Sequence, residues 1–308
     1  MKILGIGNAI VDVLCKVNDE FLEKNSLIKS TMKLVDEIEF KNLMSLIKVE
    51  ETVSGGSVAN SIVGLSQLDN NVGFIGKIND DLLGAKYEEG LLKENVKYFY
   101  KKKNERLPTG TCLILITPDS ERTMCTFLGT AGKINESDID PQIIRNSKIL
   151  FLEGYLWDEG GPKKAFNKAI LSAQQVAMSL SDVFCVERHK KDFLDLVKNK
   201  LDIIFANEQE ILKLTNSNSF DEAISFSKEI KKIIIITRGS KGSISIIGNE
   251  INECSAKSNL KIVDLTGAGD LFAAGYLHGY INNLSAKECL VKGTELSAQI
   301  IQKIGARI

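Results

Sequence analysis

The stretch VDLTGAGDLFAAGYLHGY, Val263 to Tyr280, places three small residues and a carboxylate between an apparent strand and an apolar helix. Gly267, Ala268 and Gly269 leave the backbone free of bulky side chains, and Asp270 follows them. A helix that begins near Ala268 leaves its first N–H groups unpaired, at the positive end of the helix dipole. We therefore expect an anion such as a phosphate to approach this backbone closely. Asp270 could then accept a proton from a hydroxyl group that attacks phosphorus.

The same stretch is compatible with an ordinary capped helix. In that interpretation Thr266 or Asp270 is the N-cap residue, whose side-chain oxygen accepts a hydrogen bond from a backbone N–H group of the first turn. The two interpretations differ in what lies in front of the helix. Only the anion site requires a cavity there.

Length and composition exclude several classes of function. The chain has 308 residues with 39 basic and 40 acidic side chains, so no global field attracts nucleic acid or an anionic membrane. Six cysteines without a Cys-x-x-Cys pair and only two histidines argue against zinc sites, disulfide exchange and histidine-based catalysis. No run approaches the ~18 apolar residues of a membrane span, and the start of the sequence predicts a buried strand rather than a signal peptide. We expect a cytoplasmic protein.

Short β-branched runs alternate with helical patterns along most of the chain. Continuous apolar strands separated by helices are typical of a parallel sheet that is covered on both faces. We therefore predict an α/β fold with a doubly wound, mostly parallel sheet flanked by helices. The predicted strands lie at residues 2–7, 72–78, 149–154, 176–181, 201–207 and 232–237, and the predicted helices lie at about 59–68, 82–93, 163–176 and from 209 onward.

Some segments do not share this alternation of strands and helices. Residues 98–129 have a hairpin-like pattern around Pro118-Asp119 and no helical pattern, and residues 10–17 alternate between apolar and polar. Together with residues 31–53 they predict a small β lid within a single α/β domain that spans residues 1–308. The alternative is an antiparallel extension at the edge of the main sheet.

Two common nucleotide-binding motifs are absent. The segment GIGNAI, residues 5–10, has an isoleucine where the third glycine of the dinucleotide-binding fingerprint should be. The segment GSKGS, residues 239–243, lacks the spacing of a Walker A loop. A nucleotide would therefore need another loop to bind its phosphates.

Two further motifs precede the opening stretch along the chain. Gly55 and Gly56 come before a helix and could admit a ligand to the main chain, with an amide offered by Asn60, or they could form a turn that needs positive φ. Asn207 ends a predicted strand at the carboxyl edge of the sheet, and Glu210 follows it. Glu210 could hold hydrated Mg²⁺ together with phosphate oxygens, or it could be a first-turn glutamate stabilised by the helix dipole.

The order of these motifs resembles the ribokinase-like (PfkB) family of carbohydrate and nucleoside kinases over nearly the whole chain. GKINDDLLG, residues 76–84, is similar to the segment that follows the first helix in the family, although Asn79 stands where glycine is common. Leu265 departs from a usual threonine. The opening GIGNAIVDV resembles adenosine kinase-like members, in which an Asn contacts the base and an Asp holds the ribose hydroxyls.

The resemblance implies a role for each motif. Asp270 would be the catalytic base, and Gly267, Ala268 and Gly269 would form the anion hole. Arg122 would either meet phosphate charge or remain at the surface. The implied acceptor-binding residues are Asn8, Ile10, Asp12, Gly55, Gly56 and Asn60, and the implied residues for Mg·ATP are Asn207, Thr237, Gly239, Gly242, Thr266 and, for the metal, Glu210 through water.

These roles imply an ATP-dependent kinase that phosphorylates a primary hydroxyl of a nucleoside, and adenosine is the first candidate for this acceptor. Mg²⁺ would be its cofactor, and a monovalent cation such as K⁺ would lie near the anion hole. A sugar kinase that acts on ribose or fructose is the alternative, and a non-catalytic module that binds a nucleoside or sugar is a third. Exposed lid edges would either pair in a homodimer or be shielded in a monomer. The structural condition is one cavity shared by Asp270, Asp12 and Asn60.

Overall fold

The computed structural model describes residues 1–119 and 121–308. Its strands form two sheets, one of nine strands and one of five. The strands are β1 Ile3–Ile6, β2 Ile10–Lys16, β3 Met32–Leu34, β4 Val49–Gly55, β5 Val72–Ile75, β6 Lys97–Tyr98, β7 Gly110–Ile116, β8 Arg122–Phe127, β9 Ile149–Glu153, β10 Val176–Ser179, β11 Ile203–Asn207, β12 Ile233–Thr237, β13 Ser243–Ile247 and β14 Glu250–Cys254.

Helices connect most of the strands of the larger sheet. The α-helices are α1 Asp19–Lys24, α2 Glu37–Leu46, α3 Ser57–Gln67, α4 Leu82–Lys93, α5 Pro141–Arg145, α6 Gly161–Ser172, α7 Val183–Asn199, α8 Glu208–Thr215, α9 Phe220–Ile230, α10 Ala268–Ile281 and α11 Ala286–Ile300. None of the helices in the described ranges combines the length and apolarity needed to cross a membrane.

The larger sheet has the order β14-β13-β12-β11-β10-β9-β1-β5-β6. Its strands are parallel from β12 to β6, and β13 and β14 add an antiparallel edge. Every residue of β1, β5 and β9 is buried, which is the pattern of strands with both faces covered. The predicted α/β fold class is thus confirmed, and the structure adds the edge strands β13 and β14.

Alternate residues of each strand pack into two separate cores. Ile149 and Phe151 of β9 join a core with α3, α10 and α11, whereas Leu150 and Leu152 join one with α6, α7 and α8. The two-residue period of the strand causes this division, because successive side chains point to opposite faces. The carboxyl ends of the parallel strands share one edge of the sheet, which we call the free edge.

The second sheet has the order β3-β8-β7-β2-β4. The segments predicted to form the lid and the observed second sheet differ at two places. Tyr98 pairs with β5 in the larger sheet, so the part of residues 98–129 in the second sheet begins at Gly110. Residues 31–53 include the helix α2, which Asp36 caps and whose Phe40 stacks on Phe127 of the second sheet at 5.2 Å between ring centroids.

Helix α10 runs through the core and is buried on nearly all sides. Glycines allow it to pack closely on α11, because a Cβ atom at Gly275 would lie 2.4 Å from the carbonyl oxygen of Lys292. Its first turn contains Asp270. The helix therefore directs the amino end predicted from the sequence toward the free edge of the larger sheet.

Candidate active site

A cavity of about 670 Å³ lies between the free edge of the larger sheet and the second sheet. The larger sheet contributes residues at the carboxyl ends of its strands, including Glu153, Ser179 and Asn207. The second sheet contributes side chains such as Asp12 and Met124 from the opposite side. This position is the usual ligand site of an open parallel sheet.

Most of the residues singled out in the sequence line this cavity. Gly55, Asn60, Gly239 and Gly242 are not part of its lining. The lining residues that the sequence predicted are Asn8, Ile10, Asp12, Gly56, Asn207, Glu210, Thr237, Thr266, Gly267, Ala268, Gly269 and Asp270.

The amino end of α10 is open toward the cavity. Its N-cap residue is Gly267, with φ 78° and no side-chain cap, so the alternative cap by Thr266 or Asp270 is wrong. The Ala268 N–H donates to the carbonyl of Leu265 at 3.2 Å, whereas no acceptor in residues 1–119 and 121–308 pairs with the N–H groups of Gly269 and Asp270. These two amides are free to bind an anion.

Asp270 is held in place by two side chains from α3. The Ser57 hydroxyl donates to Asp270 Oδ1 at 2.7 Å, and Asn60 Nδ2 donates to Oδ2 at 3.0 Å. Burial raises the pKa of Asp270 to about 6, although both hydrogen bonds oppose that rise. A carboxylate with this pKa is ionised at neutral pH and can still accept a proton, which suits a general base.

Gly55 and Asn60 support the site from behind the cavity wall. A Cβ atom at Gly55 would lie 2.3 Å from Asp12 Oδ2, so the carboxylate of Asp12 occupies the space that a side chain would need. Asn60 is 5% exposed and bonds to Asp270. Neither residue is part of the cavity lining, and their predicted direct contact with an acceptor stays a prediction.

Asp12 lies on β2 and faces the cavity from the second sheet. Burial raises its pKa to about 7; the positive charges of Arg307 and Arg122 oppose this rise, and the negative charge of Asp270 adds to it. Asp12 and Asp270 therefore meet in one cavity, as the sequence interpretation required, whereas Asn60 lies behind the wall.

Glu153 is a site residue that the sequence interpretation missed. Its Oε1 accepts hydrogen bonds from the backbone N–H and the side-chain Nδ2 of Asn8, at 2.8 and 2.9 Å. Its Oε2 accepts from the Val58 N–H at 3.0 Å. Burial raises the pKa of Glu153 to about 7. A carboxylate at the end of the continuous apolar run ILFLE was the available signal, and Ser57 carried none beyond its place after Gly55-Gly56.

Asn207 and Glu210 form a capping box at the start of α8. Asn207 Oδ1 accepts from the Glu210 N–H at 2.8 Å, and Glu210 Oε2 accepts from the Asn207 N–H at 3.1 Å. Asn207 Nδ2 also donates to Glu210 Oε1 at 2.6 Å. Burial raises the pKa of Glu210 to about 7. The first-turn alternative is thus realised, and the same glutamate also lines the cavity.

The carboxylates in the described ranges do not form a cage for a metal. No group of three or more His, Cys, Asp or Glu side chains there is arranged to hold an ion. Mg²⁺ needs no such cage, since one carboxylate, water and phosphate oxygens suffice. Glu210 on the cavity wall fits this kind of site.

The loop after β12 contributes only Thr237 to the cavity lining. Gly239 is exposed, and Gly242, with φ 90°, packs against the main chain, where a Cβ atom would lie 2.1 Å from the carbonyl oxygen of Cys254. Both glycines turn the chain into β13 without lining the cavity, and their predicted contact with the nucleotide stays a prediction.

Arg122 joins the second sheet to the loop before α10. Its side chain is 11% exposed, and Nη1 lies 2.7 Å from Oδ2 of Asp264. The Thr266 hydroxyl donates to the other oxygen, Oδ1, at 2.7 Å. Arg122 is therefore not a surface residue, so that alternative is wrong. It does not line the cavity in this conformation, and its contact with phosphate charge stays a prediction.

Known proteins share this fold and much of this sequence. The model of the pfkB family carbohydrate kinases matches residues 23–308. An adenosine kinase of Saccharomyces cerevisiae is 27% identical over 328 residues, which cover 97% of this chain and 94% of that protein. The solved structure of an adenosine kinase from Sinorhizobium meliloti is 36% identical with a TM-score of 0.92, over 100% of this chain and 95% of that one.

A second solved structure is described as a probable sugar kinase from Rhizobium etli. It is 34% identical with a TM-score of 0.90, and the match covers 99% of this chain and 94% of that one. The family model covers most of the chain after β2, and the matches to these relatives cover nearly all of it. The chain therefore belongs to the pfkB family of carbohydrate kinases and is an ATP-dependent kinase that acts on a hydroxyl group.

Proposed function

We propose that the protein phosphorylates the primary hydroxyl of a nucleoside, and that adenosine is its preferred acceptor, with AMP as the product. One observation carries the proposal: the carboxylates of Asp270 and Asp12 face the same cavity, together with the free amides at the start of α10. Similarity to two proteins described as adenosine kinases supports a nucleoside as acceptor.

Asp270 removes the proton of the attacking hydroxyl in the proposed mechanism. Ser57 and Asn60 fix both of its oxygens, so the carboxylate keeps one orientation during the reaction. The free amides of Gly269 and Asp270 bind the phosphoryl group in transfer, where their fixed dipoles stabilise the developing charge. Positioning and electrostatics supply the catalysis, with no covalent intermediate on the protein.

Asp12 and Asn8 hold the acceptor. Asp12 accepts hydrogen bonds from the paired ribose hydroxyls, which donate more strongly to a carboxylate than to a neutral group. Asn8 Nδ2 donates to Glu153, whereas Asn8 Oδ1 has no partner in the described chain. Asn8 therefore offers this oxygen to the nucleobase of the acceptor. Ile10 packs on the acceptor from the second sheet, beside the Gly56 main chain.

The nucleotide lies at the other end of the cavity, against Asn207, Thr237 and Thr266. Glu210 holds Mg²⁺ through water there. When bound, the ion neutralises charge on the transferred phosphates. A requirement for K⁺ near the anion hole is a separate part of the proposal, and a comparison of rates in potassium chloride and choline chloride tests it.

The second sheet acts as a lid in this proposal. Its side chains Met32, Leu34 and Met124 line the cavity opposite the larger sheet, so a small rotation of the sheet would bring apolar groups over the acceptor. Closure would exclude water, which would otherwise compete as phosphoryl acceptor. Its edge strands β3 and β4 could pair between two copies, and sedimentation of the purified protein tests this homodimer.

A panel of acceptors tests the proposed function. ADP formation is measured with adenosine, inosine, ribose and fructose, and Asp270→Asn serves as the inactive control. We expect adenosine to give the highest kcat/KM, which would place the protein in cytoplasmic purine salvage. A higher kcat/KM for ribose or fructose would overturn the choice of a nucleoside.

A sugar kinase is the second candidate, and the similarity to the probable sugar kinase of Rhizobium etli favours it. A vicinal diol of a free sugar could reach Asp12 in the same way as a ribose. Heat stabilisation by adenosine without any ADP formation would instead favour a non-catalytic binding module.

A further inference from the structure

We propose that Arg307 is a positioning residue of the acceptor site, which fixes the Asn60 amide and favours the carboxylate form of Asp12. The inference rests on the proposed function of the cavity between the sheets. Arg307 lies outside the cavity lining, and no motif near it pointed to a function. Its role follows from three groups of contacts.

The first group ties the segment 305–307 to the loop before α10. The Gly305 N–H donates to Asp264 Oδ2 at 2.8 Å. A Cβ atom at Gly267 would lie 2.7 Å from the Cα of Ala306, so the two backbones touch. The segment therefore packs directly against the loop that contains Asp264 and Gly267. These contacts fix the backbone that carries Arg307.

The second contact decides the orientation of Asn60. Arg307 Nε donates to Asn60 Oδ1 at 3.3 Å, and Asn60 Nδ2 donates to Asp270 Oδ2 at 3.0 Å. An Asn side chain has one acceptor oxygen and one donor nitrogen, whereas a guanidinium only donates and a carboxylate only accepts. Asn60 therefore satisfies both neighbours in one orientation alone. Arg307 thus helps to hold Asp270 through Asn60.

The third observation concerns charge. Arg307 Nη2 is buried and has no hydrogen-bond partner in residues 1–119 and 121–308. Burial lowers the pKa of Arg307, while Tyr87, Asp12 and Glu94 raise it. A guanidinium nonetheless stays charged in proteins. The positive charge of Arg307 therefore acts on the ionisable groups around it, and no hydrogen-bond acceptor among the described residues binds its Nη2.

Asp12 is one group that this charge affects. The charged groups around Asp12 are Arg307 and Arg122, which lower its pKa, and Asp270, which raises it. Cys112 on β7 and Tyr87 on α4 also face this region, and burial raises the pKa of each thiol and phenol, so both are neutral. Without Arg307, the pKa of Asp12 would rise further, and more of Asp12 would be protonated at neutral pH.

Kinetics of Arg307→Met and Arg307→Lys test the proposal, with Lys303→Met at an exposed cation of the same segment as the matched control. We expect Arg307→Met to raise the KM for adenosine about tenfold, as for a contact to a charged group. The KM for ATP should stay unchanged, and the acid limb of kcat/KM should move to higher pH. Arg307→Lys should keep the wild-type acid limb. Equal changes in both KM values, or an unmoved acid limb, would overturn the proposal.

A double-mutant cycle on heat unfolding tests the same coupling without any acceptor. At a pH above the pKa of Asp12, Arg307→Met should lower the Tm by a few degrees more in the wild-type background than in the Asp12→Asn background. Equal decreases would overturn the inference. A wild-type protein that does not phosphorylate adenosine would overturn the proposed function only, because this cycle still decides the role of Arg307.

Discussion

Helices α8 and α10 both begin at the wall of the cavity, yet their amino ends are built in opposite ways. Each has an acid as its third residue, Glu210 in α8 and Asp270 in α10. In α8 the acid reaches back to the N-cap residue Asn207 and closes a capping box. In α10 the N-cap residue is Gly267, which has no side chain to cap the helix.

The difference shows how one local pattern can serve stability or chemistry. The long side chain of Glu210 satisfies the start of its own helix. Asp270 is instead held by Ser57 and Asn60 of another helix, which leaves amides of its own first turn without partners in the described ranges. The capped end stabilises the fold, and the open end can bind a phosphoryl group.

Removing the carboxylate at the open end should give the largest effect. We expect Asp270→Asn to lower kcat by about 10²- to 10⁴-fold, since an amide in place of this carboxylate cannot accept the proton from the acceptor hydroxyl. Binding of ATP, measured by calorimetry, should stay nearly unchanged. Turnover close to that of the wild type would remove Asp270 as the base.

Filling the space in front of the open end should give the next largest effect. A Cβ atom at Gly269 would meet no described heavy atom within 4 Å, so Gly269→Ala should fold normally but narrow the phosphoryl site. We expect kcat to fall about tenfold to a hundredfold without any decrease in Tm.

Gly267→Ala is the matched control for that change. Its positive φ and the approach of Ala306 should cost about 1–3 kcal/mol of stability, so here the Tm should fall as well. A Gly269→Ala protein with wild-type kcat would show that the phosphoryl group does not pass this turn.

Changing the closed end should have a smaller effect on catalysis. Glu210→Gln loses one of the two hydrogen bonds that the Glu210 side chain accepts and keeps the one from its backbone N–H to Asn207, so we expect the free energy of unfolding to fall by about 1 kcal/mol. The KM for Mg·ATP should rise about tenfold because the metal loses a charged ligand. An unchanged dependence on Mg²⁺ concentration would leave Glu210 with the structural role alone.

The dependence of stability on pH should give the smallest difference between the two helix ends, because a carboxyl group titrates at each of them. Burial raises the pKa of Asp12, Glu153 and Glu210 to about 7 and that of Asp270 to about 6, above the ordinary values of 3.8 for Asp and 4.5 for Glu. A raised pKa means that the folded state binds the proton more tightly, so this stability is present at low pH and is lost as pH rises through the folded pKa. We expect the free energy of unfolding, measured in urea, to be lower at pH about 7 than at pH about 4.

The same titrations set the acid limb of activity. Asp270 must be ionised to act as a base and Asp12 must be ionised to bind the acceptor, so kcat/KM should rise with pH between about 6 and about 7, the pKa values of these two buried carboxyl groups. In the Asp270→Asn variant, the free energy of unfolding should decrease less between pH about 4 and pH about 7 than in the wild type. An unchanged decrease in that variant would indicate that Asp270 is ionised throughout this range.

The sequence predicted those parts of the site that depend on neighbours along the chain. The small residues before Asp270 predicted an open helix end, and Asn207 with Glu210 marked the end of a strand. Local patterns did not separate turns from binding loops or strands from helices: the glycines at 239 and 242 form a turn into β13, and residues 31–53, predicted as part of a β lid, contain a helix whose apolar face covers the second sheet.

By itself, the sequence determined the α/β alternation, the start of α10 and the order of the family's motifs, because periodicity and backbone preference act over a few residues. Only the tertiary structure decided which polar groups meet. Glu153 binds Asn8 across 145 residues, and Arg307 binds Asn60 across 247. Such contacts depend on how the sheets and helices pack, and the spacing of residues along the chain does not predict them.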